Sequence, residues 1–452
     1  MIISRHINKI IAAVVLFAVL AIAFILYAAV NNDESQNIPE YQKKLFGDKI
    51  AEIDIRADAK DWQNLVSNAP DKDWISCDIA INGEVFNGVG IRTKGNSSLI
   101  KTENLKSGRY SLNIKFNKYV KGQTYYGLDT FSLNNMIDDA TYMKEYISYD
   151  IMQYIGVPAP LKNYAKVTIN GNDYGFLLIL ERYDEAFLER VYGTSSGQMY
   201  NVKNTNANNA GGSLLYAGND AGSYSSIFDN AVFGKKSDKH DKQVIAAIEH
   251  LNTGINIEKY WDADEILRYF AANTAVVNLK SYVSNQEQNY YLYVRDNKVA
   301  VLPWSYHLSF GGYPKDADAS MIVNFPIDEP VYGVNMQERP LLNKLLEFPE
   351  YKAKYHEYLR RITDGYFNGG LFEETVNKLN GKIGGYVKTD VSGFYTYEQY
   401  EKSLPTLIEL VRLRAESIEG QLNGTIPSTL KGQNNVRSTL INASKIDLSA
   451  LR

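Results

Sequence analysis

Residues 279–312 read Leu279-Lys-Ser-Tyr-Val-Ser-Asn-Gln-Glu-Gln-Asn-Tyr-Tyr-Leu-Tyr293, then Val294-Arg-Asp-Asn-Lys-Val-Ala-Val-Leu-Pro-Trp-Ser-Tyr-His-Leu-Ser-Phe-Gly-Gly312. The aromatic run 290–293 and the apolar run 299–302 have strand composition, and Arg295-Asp296-Asn297 between them reads as a turn. The stretch therefore predicts a hairpin that ends at Pro303-Trp304-Ser305. A polar segment with Lys280, Ser281 and Asn285 leads into it.

Upstream, residues 46–135 carry further strand signals. Ile50-Ala-Glu-Ile-Asp-Ile55 and Ser76-Cys-Asp-Ile-Ala-Ile81 alternate with period two. Asn82-Gly83 and Asn170-Gly171 are hairpin turns. In 110–116, Leu112, Ile114 and Phe116 share one face, with Asn113 and Lys115 on the other. Met143, Ile147, Ile151 and Ile155 recur every four residues and predict a helix over about 140–155, stopped by Gly156-Val-Pro158. After Arg182 the spacing becomes mainly helical, as in 243–251, 263–279 and 350–362. The organisation expected is α+β, with a β-rich unit at 46–181, a helical unit at 182–423 and a polar tail at 424–452.

Residues 10–30 form an uninterrupted apolar run, preceded by Arg5, His6 and Lys9. Its length suffices to cross a bilayer as a helix. Leu26-Tyr-Ala-Ala-Val30 is a poor cleavage site, which favours an uncleaved anchor over a signal peptide. The basic flank belongs on the cytoplasmic side. This predicts a single-pass protein of the cell membrane: cytoplasmic 1–9, transmembrane 10–30, linker 31–45, and an extracytoplasmic C-terminal domain.

The 452 residues carry a formal net charge of −4, which gives no expectation of nucleic-acid binding. One cysteine, Cys77, excludes an intrachain disulfide framework. Gly193-Thr-Ser-Ser-Gly197 matches G-x-S-x-G, but a helical segment precedes it where a nucleophile elbow needs a strand. The histidines show no metal-ligand spacing.

Four segments in order resemble the CotH family, the spore-coat protein H group of kinase-like proteins. They are Lys94-Gly-Asn-Ser97, Asn170-Gly-Asn-Asp-Tyr-Gly175 running on to Leu180-Glu181, Asn289-Tyr-Tyr-Leu-Tyr293, and Pro303-Trp-x-x-x-x-Ser-Phe-Gly311. The resemblance spans roughly 46–420. It implies an atypical protein-kinase-like, two-lobed fold, with a β-rich small lobe and a mainly helical large lobe. In active members it also implies ATP- and metal-dependent phosphorylation of coat or surface proteins.

Carried onto this chain, the resemblance makes Lys94, Gly95, Asn96 and Ser97 a nucleotide-side loop. It makes Lys115 and Glu145 the lysine–glutamate pair that holds nucleotide phosphates. Glu181 would lie at the hinge beside the adenine, and Asn285 would be the metal-binding asparagine. Two acids of the pattern are replaced. Lys280 stands where the family usually has the base aspartate, and Ser305 where it has the Mg²⁺-binding aspartate. A lysine ammonium accepts no proton near pH 7 unless its pKa falls by several units, and serine brings no charge to a metal. The sequence leaves two readings. One is a degenerate, pseudokinase member that binds ATP with little use of Mg²⁺ and serves in assembly of coat or surface proteins. The other is an active kinase whose acids have moved to Glu287, Asp296, Asp316 or Asp318.

Overall fold

The computed structural model describes residues 38–204, 210–233 and 237–452. Period-two alternation builds its first half. Strands β1 (Ala51–Ala57), β2 (Ile75–Ile81), β3 (Glu84–Lys94), β4 (Ser111–Lys115), β5 (Thr130–Asn134), β6 (Lys162–Ile169) and β7 (Asn172–Glu181) form a closed barrel in the order β1-β2-β3-β4-β5-β7-β6. Ile53, Ile55, Ile79, Ile91, Ile114, Phe131 and Ile179 are buried in its core.

Both Asn-Gly turns form as expected. Asn82 and Gly83 have φ of 50° and 87°, and Asn170 and Gly171 have φ of 51° and 78°. Consecutive positive φ values match the twist of the strands they join. Each asparagine also holds the barrel shut. Asn82 Oδ1 accepts from the Glu52 amide at 3.0 Å, and Asn170 Oδ1 accepts from the Ala57 amide at 2.9 Å.

The second half mixes helices with a three-stranded antiparallel sheet, β8 (Gln198–Val202), β9 (Tyr290–Arg295) and β10 (Lys298–Pro303), in the order β10-β9-β8. The hairpin read from residues 290–303 is β9–β10, with Asp296 and Asn297 at its turn in the left-handed region. The helix expected over 140–155 is Lys144–Tyr154. Its start is delayed because the Asp139 carboxylate accepts from the amides of Thr141 and Lys144, which folds 139–143 into a turn.

The two-lobed, kinase-like expectation is corrected here. The α+β content is as read, but the strands of the first half close into a barrel: β1 pairs antiparallel with β2 and parallel with β6. Nor does residue 181 divide two separate cores. On β6 and β7, Ala165, Val167, Leu177 and Ile179 face the barrel interior. Tyr164, Phe176, Leu178 and Leu180 belong to the large core that continues to Leu451. The stretch 424–452, read as a tail, packs back onto this core. Ile426, Leu448 and Leu451 are buried, and Arg452 Nε donates to the Gly311 carbonyl at 2.9 Å.

The single-pass membrane expectation finds no support among the described residues: no helix there is long and apolar enough to cross a membrane. The run 10–30, on which that expectation rested, lies outside the described residues.

One buried ion pair fastens the barrel to the helical half. Arg109 Nη1 lies 2.5 Å from Asp390 Oδ2 and 3.0 Å from Ser392 Oγ, and its Nη2 donates to the Phe176 carbonyl. Both charged side chains are about fully enclosed, at 1% and 2% exposure. Removing one partner leaves the other charge buried and uncompensated, which costs about 3–5 kcal/mol. Asp390→Ala is therefore expected to lower unfolding stability by that amount in urea denaturation of the full chain. A loss below about 1 kcal/mol, the level of an exposed pair, would contradict the role given to this contact.

Candidate functional site

A cleft of about 810 Å³ lies between the barrel and the β8–β10 sheet. Strand parity supplies its barrel wall. Ile91 faces the barrel interior, so Arg92 and Lys94 turn the other way, opposite Asn113 and Ser111 of β4. Beyond Lys94 the chain turns at Gly95, whose φ is +108°. A Cβ there would stand 2.4 Å from Ser98 Oγ, so glycine is required. Asn96 and Ser97 follow and lead into the helix Ser97–Asn104. The loop Lys94, Gly95, Asn96 and Ser97 thus lines the cleft.

Lys94 is at the centre of this wall. Its Nζ donates to Asn134 Oδ1 on β5, and Asn134 Nδ2 donates to Glu145 Oε2 at 2.7 Å. Glu145 Oε1 accepts from the Tyr306 amide at 3.1 Å. Desolvation pushes the Lys94 ammonium down to about 8, against the opposing charge of Glu145. Burial raises the Glu145 carboxyl, with Lys94 opposing.

The opposite wall carries Lys280 and Ser305. Lys280 Nζ crosses to Ser97 Oγ at 2.6 Å, and desolvation lowers its pKa. Ser305 follows β10 at a turn with φ of +64°, where its amide donates to the Tyr149 hydroxyl at 3.1 Å. Ser305 Oγ lies 3.3 Å from His307 Nδ1. Desolvation, then the nearby Lys280 charge, push the His307 imidazole down to about 3, so it is neutral near pH 7.

Lys94, Gly95, Asn96, Ser97, Glu145, Lys280 and Ser305 therefore share one cleft. Lys115, Glu181 and Asn285 do not line it. Lys115 has the parity of Ser111 and Asn113 but lies two residues past the cleft edge, with its Nζ 3.4 Å from Asp129. The lysine linked to Glu145 is Lys94. Glu181 is enclosed and accepts from Arg190, from the Tyr41 hydroxyl at 2.8 Å and from the Leu161 amide at 3.0 Å. Asn285 is exposed, while Asn289 lines the cleft and donates to the Lys280 carbonyl at 2.7 Å.

Among the described residues of the wall, the cations are Lys72, Arg92, Lys94, Arg182, Lys203 and Lys280, and the carboxylate is Glu145. Lys72, Arg92, Arg182 and Lys203 were not singled out from sequence. They come from four separate segments, and the one local signal is the alternation that puts Arg92 beside Lys94. The acids considered as replacements lie elsewhere. Glu287 faces Arg339 at 3.2 Å, Asp296 sits in the exposed β9–β10 turn, Asp316 is exposed, and Asp318 caps the helix Ala319–Val323. No group of three or more His, Cys, Asp or Glu residues able to hold a metal occurs among the described residues.

The fold and this cleft define an α+β protein with a cationic site that is poor in carboxylates among the described residues. The family described as CotH kinase protein matches residues 91–418, and the chain belongs to that family. It is 22% identical over 329 residues to inner spore coat protein H of Bacillus subtilis (strain 168), covering 68% of this chain and 82% of that protein. It is 28% identical over 109 residues to the inner spore coat protein H-like protein of the same strain, covering 24% of this chain and 34% of that one.

The His307 environment has a measurable consequence. The unfolded imidazole takes up a proton below about pH 6.5, whereas the folded one stays neutral to about 3. The unfolded state then binds more protons, so stability falls as pH drops through that window. His307→Gln is expected to flatten part of the acid limb of stability between pH 6.5 and 4. Parallel pH dependences for the two proteins in urea titrations would refute the assignment.

Proposed function

We propose that this chain is a CotH-family assembly factor for coat or surface proteins, whose cleft binds the polyphosphate of ATP and does not transfer it. The observation that carries this reading is the charge of the cleft wall, six cations against one carboxylate among the described residues. Polyphosphate oxygens are acceptors, and lysine and arginine supply charge-assisted donors for them. Lys94 and Lys280 flank the space from opposite walls. The coat role is supported by the name of the relative that aligns with most of this chain, inner spore coat protein H.

The wall fits a nucleotide polyphosphate but not Mg²⁺. Hard cations in phosphate sites are usually held by one or two carboxylates. Glu145 is already engaged by Asn134 and the Tyr306 amide. Ser305, at the substituted metal position, is neutral. In this reading the Lys280 charge takes the place of a metal beside the phosphates. Orientation of a substrate hydroxyl by a carboxylate base is then missing, and phosphoryl transfer depends on such positioning. The active-kinase alternative needs an acid in the cleft, and Glu287, Asp296, Asp316 and Asp318 do not line it.

ATP is thus expected to raise the thermal midpoint about equally with Mg²⁺ and with EDTA. Affinity should hold below pH 8 and weaken above it as Lys94 loses its proton. Lys94→Arg should remove that pH dependence, because guanidinium keeps its charge. A shift that requires Mg²⁺ would show that a carboxylate has entered the site.

Phosphotransfer tests the other half of the reading. The native chain, Lys280→Asp, Ser305→Asp and the double variant would be compared for labelled-phosphate incorporation into themselves and into coat-type proteins. The double variant should gain on the order of 100-fold, the usual worth of a positioned acid–base group. Each single variant should stay near background. Robust transfer by the native chain, lost in Lys94→Ala, would overturn the pseudokinase reading.

A further inference from the structure

The cations of the cleft fall into two groups. Lys94 and Lys280 stand at the Glu145–Ser305 end. Lys72, Arg92 and Arg182 form a second cluster, with Lys203 at its edge, and it adjoins Lys94, which lies over the Trp304 ring at 5.7 Å as Arg182 does at 5.5 Å. Arg92 lies over the Trp74 ring at 4.5 Å. These cation–π contacts help hold the two guanidinium groups in place.

Lys72 and Arg182 hydrogen-bond to neutral side chains. Lys72 Nζ donates to Asn96 Oδ1 at 2.9 Å, and Arg182 Nη1 donates to Asn113 Oδ1 at 3.2 Å and Ser132 Oγ at 3.4 Å. Arg92 Nε is buried without a partner among the described residues. The nearby carboxyl of Asp184 is committed to the helix Glu185–Tyr192, where it caps the amides of Ala186 and Phe187. Burial pushes it up to about 7, which halves its charge near neutral pH.

Like charges in a half-buried site repel. Burial lowers the pKa of Lys72, with Arg92 adding to the effect. It likewise lowers that of Arg92, with Arg182 adding. Such a cluster is unfavourable until an anion enters it. Three cations call for more than one negative charge, and two guanidinium groups match the several oxygens of a phosphate. The cleft volume lies in the upper part of the ~300–1,000 Å³ range of small-molecule pockets, with room beyond a single polyphosphate.

We propose that Lys72, Arg92 and Arg182 form a second anion subsite in the cleft, adjoining Lys94, which takes a phosphate monoester or free phosphate dianion beside the polyphosphate at Lys94 and Lys280. The inference rests on the nucleotide reading only for the identity of the first ligand. In a phosphoprotein partner the group would be a phosphoserine; in solution it would be inorganic phosphate.

Isothermal titration of the full chain with inorganic phosphate and with a phosphoserine peptide tests this. Arg92→Gln combined with Arg182→Gln is expected to weaken both ligands at least about tenfold, the loss of roughly one charge-assisted hydrogen bond. Lys115→Ala, outside the cleft, should change them less than about twofold. ATP titrated into phosphate-saturated protein should still bind, with its affinity reduced less than about tenfold by charge repulsion. Tighter binding of the peptide identifies a protein-borne phosphate, and equal or tighter binding of inorganic phosphate identifies the free ion. Circular dichroism melting checks that the double variant folds, and Arg92→Lys combined with Arg182→Lys serves if it does not. Those lysines should keep part of the affinity but lose the paired contacts.

Full competition between ATP and phosphate would mean one site and overturn the proposal. So would phosphate affinity unchanged in the double arginine variant. Failure of ATP to bind while phosphate binding still depends on the arginines would instead refute the nucleotide reading and leave this subsite standing.

Discussion

The β6–β7 ribbon carries the structure because both of its faces are buried. Ala165, Val167, Leu177 and Ile179 fill the barrel, and Tyr164, Phe176, Leu178 and Leu180 enter the large core. A strand buried on one side can slide or tilt at modest cost. One buried on two sides has its register specified twice, since a one-residue slip would reverse both faces. The Arg109–Asp390 pair, which also engages the Phe176 carbonyl of this ribbon, pins the same junction electrostatically. The cleft walls inherit their spacing from this junction. The barrel brings Lys94 and Asn134, the helix Lys144–Tyr154 brings Glu145, and the turn after β10 brings Ser305.

The electrostatics of the cleft follow from that geometry. Desolvation lowers the pKa of lysine and raises that of a carboxyl, and both effects meet at Lys94 and Glu145. The neutral Asn134 between them transmits the contact without direct charge pairing. Across the gap, Lys280 donates to the Ser97 hydroxyl, with the Asp138 charge nearby. The site is thus stocked with donors and short of proton acceptors. That composition suits holding an anion more than activating a nucleophile.

Much of this was legible from local signals. The Asn-Gly turns and the β9–β10 hairpin depend on φ preferences and neighbouring residues alone, so sequence reaches them directly. The motifs at 94–97 and 303–311 mark parts of the cleft for the same reason: a strand end and a tight turn are local events. Lys115 illustrates the limit. It shares strand parity with Ser111 and Asn113, yet β4 carries it past the cleft edge to Asp129. Asn285 and Asn289 differ in the same way. Both are polar residues of one loop, and the turn through Glu287 and Asn289, both at positive φ, decides which side chain faces inward.

By itself, the sequence determined the strand faces, a helix within about 140–155 and the family. Each is a property of residue type or short-range spacing. Tertiary structure decided the rest. Closure of the barrel depends on β1 meeting β6, more than a hundred residues away in the chain. The C-terminal stretch lacks periodicity, yet Leu448 and Leu451 find a surface that only the assembled helices present. The cationic cleft is likewise a product of folding. Its lysines and arginines come from distant segments, each unremarkable alone, and only their convergence in a poorly solvated space gives them a common chemistry.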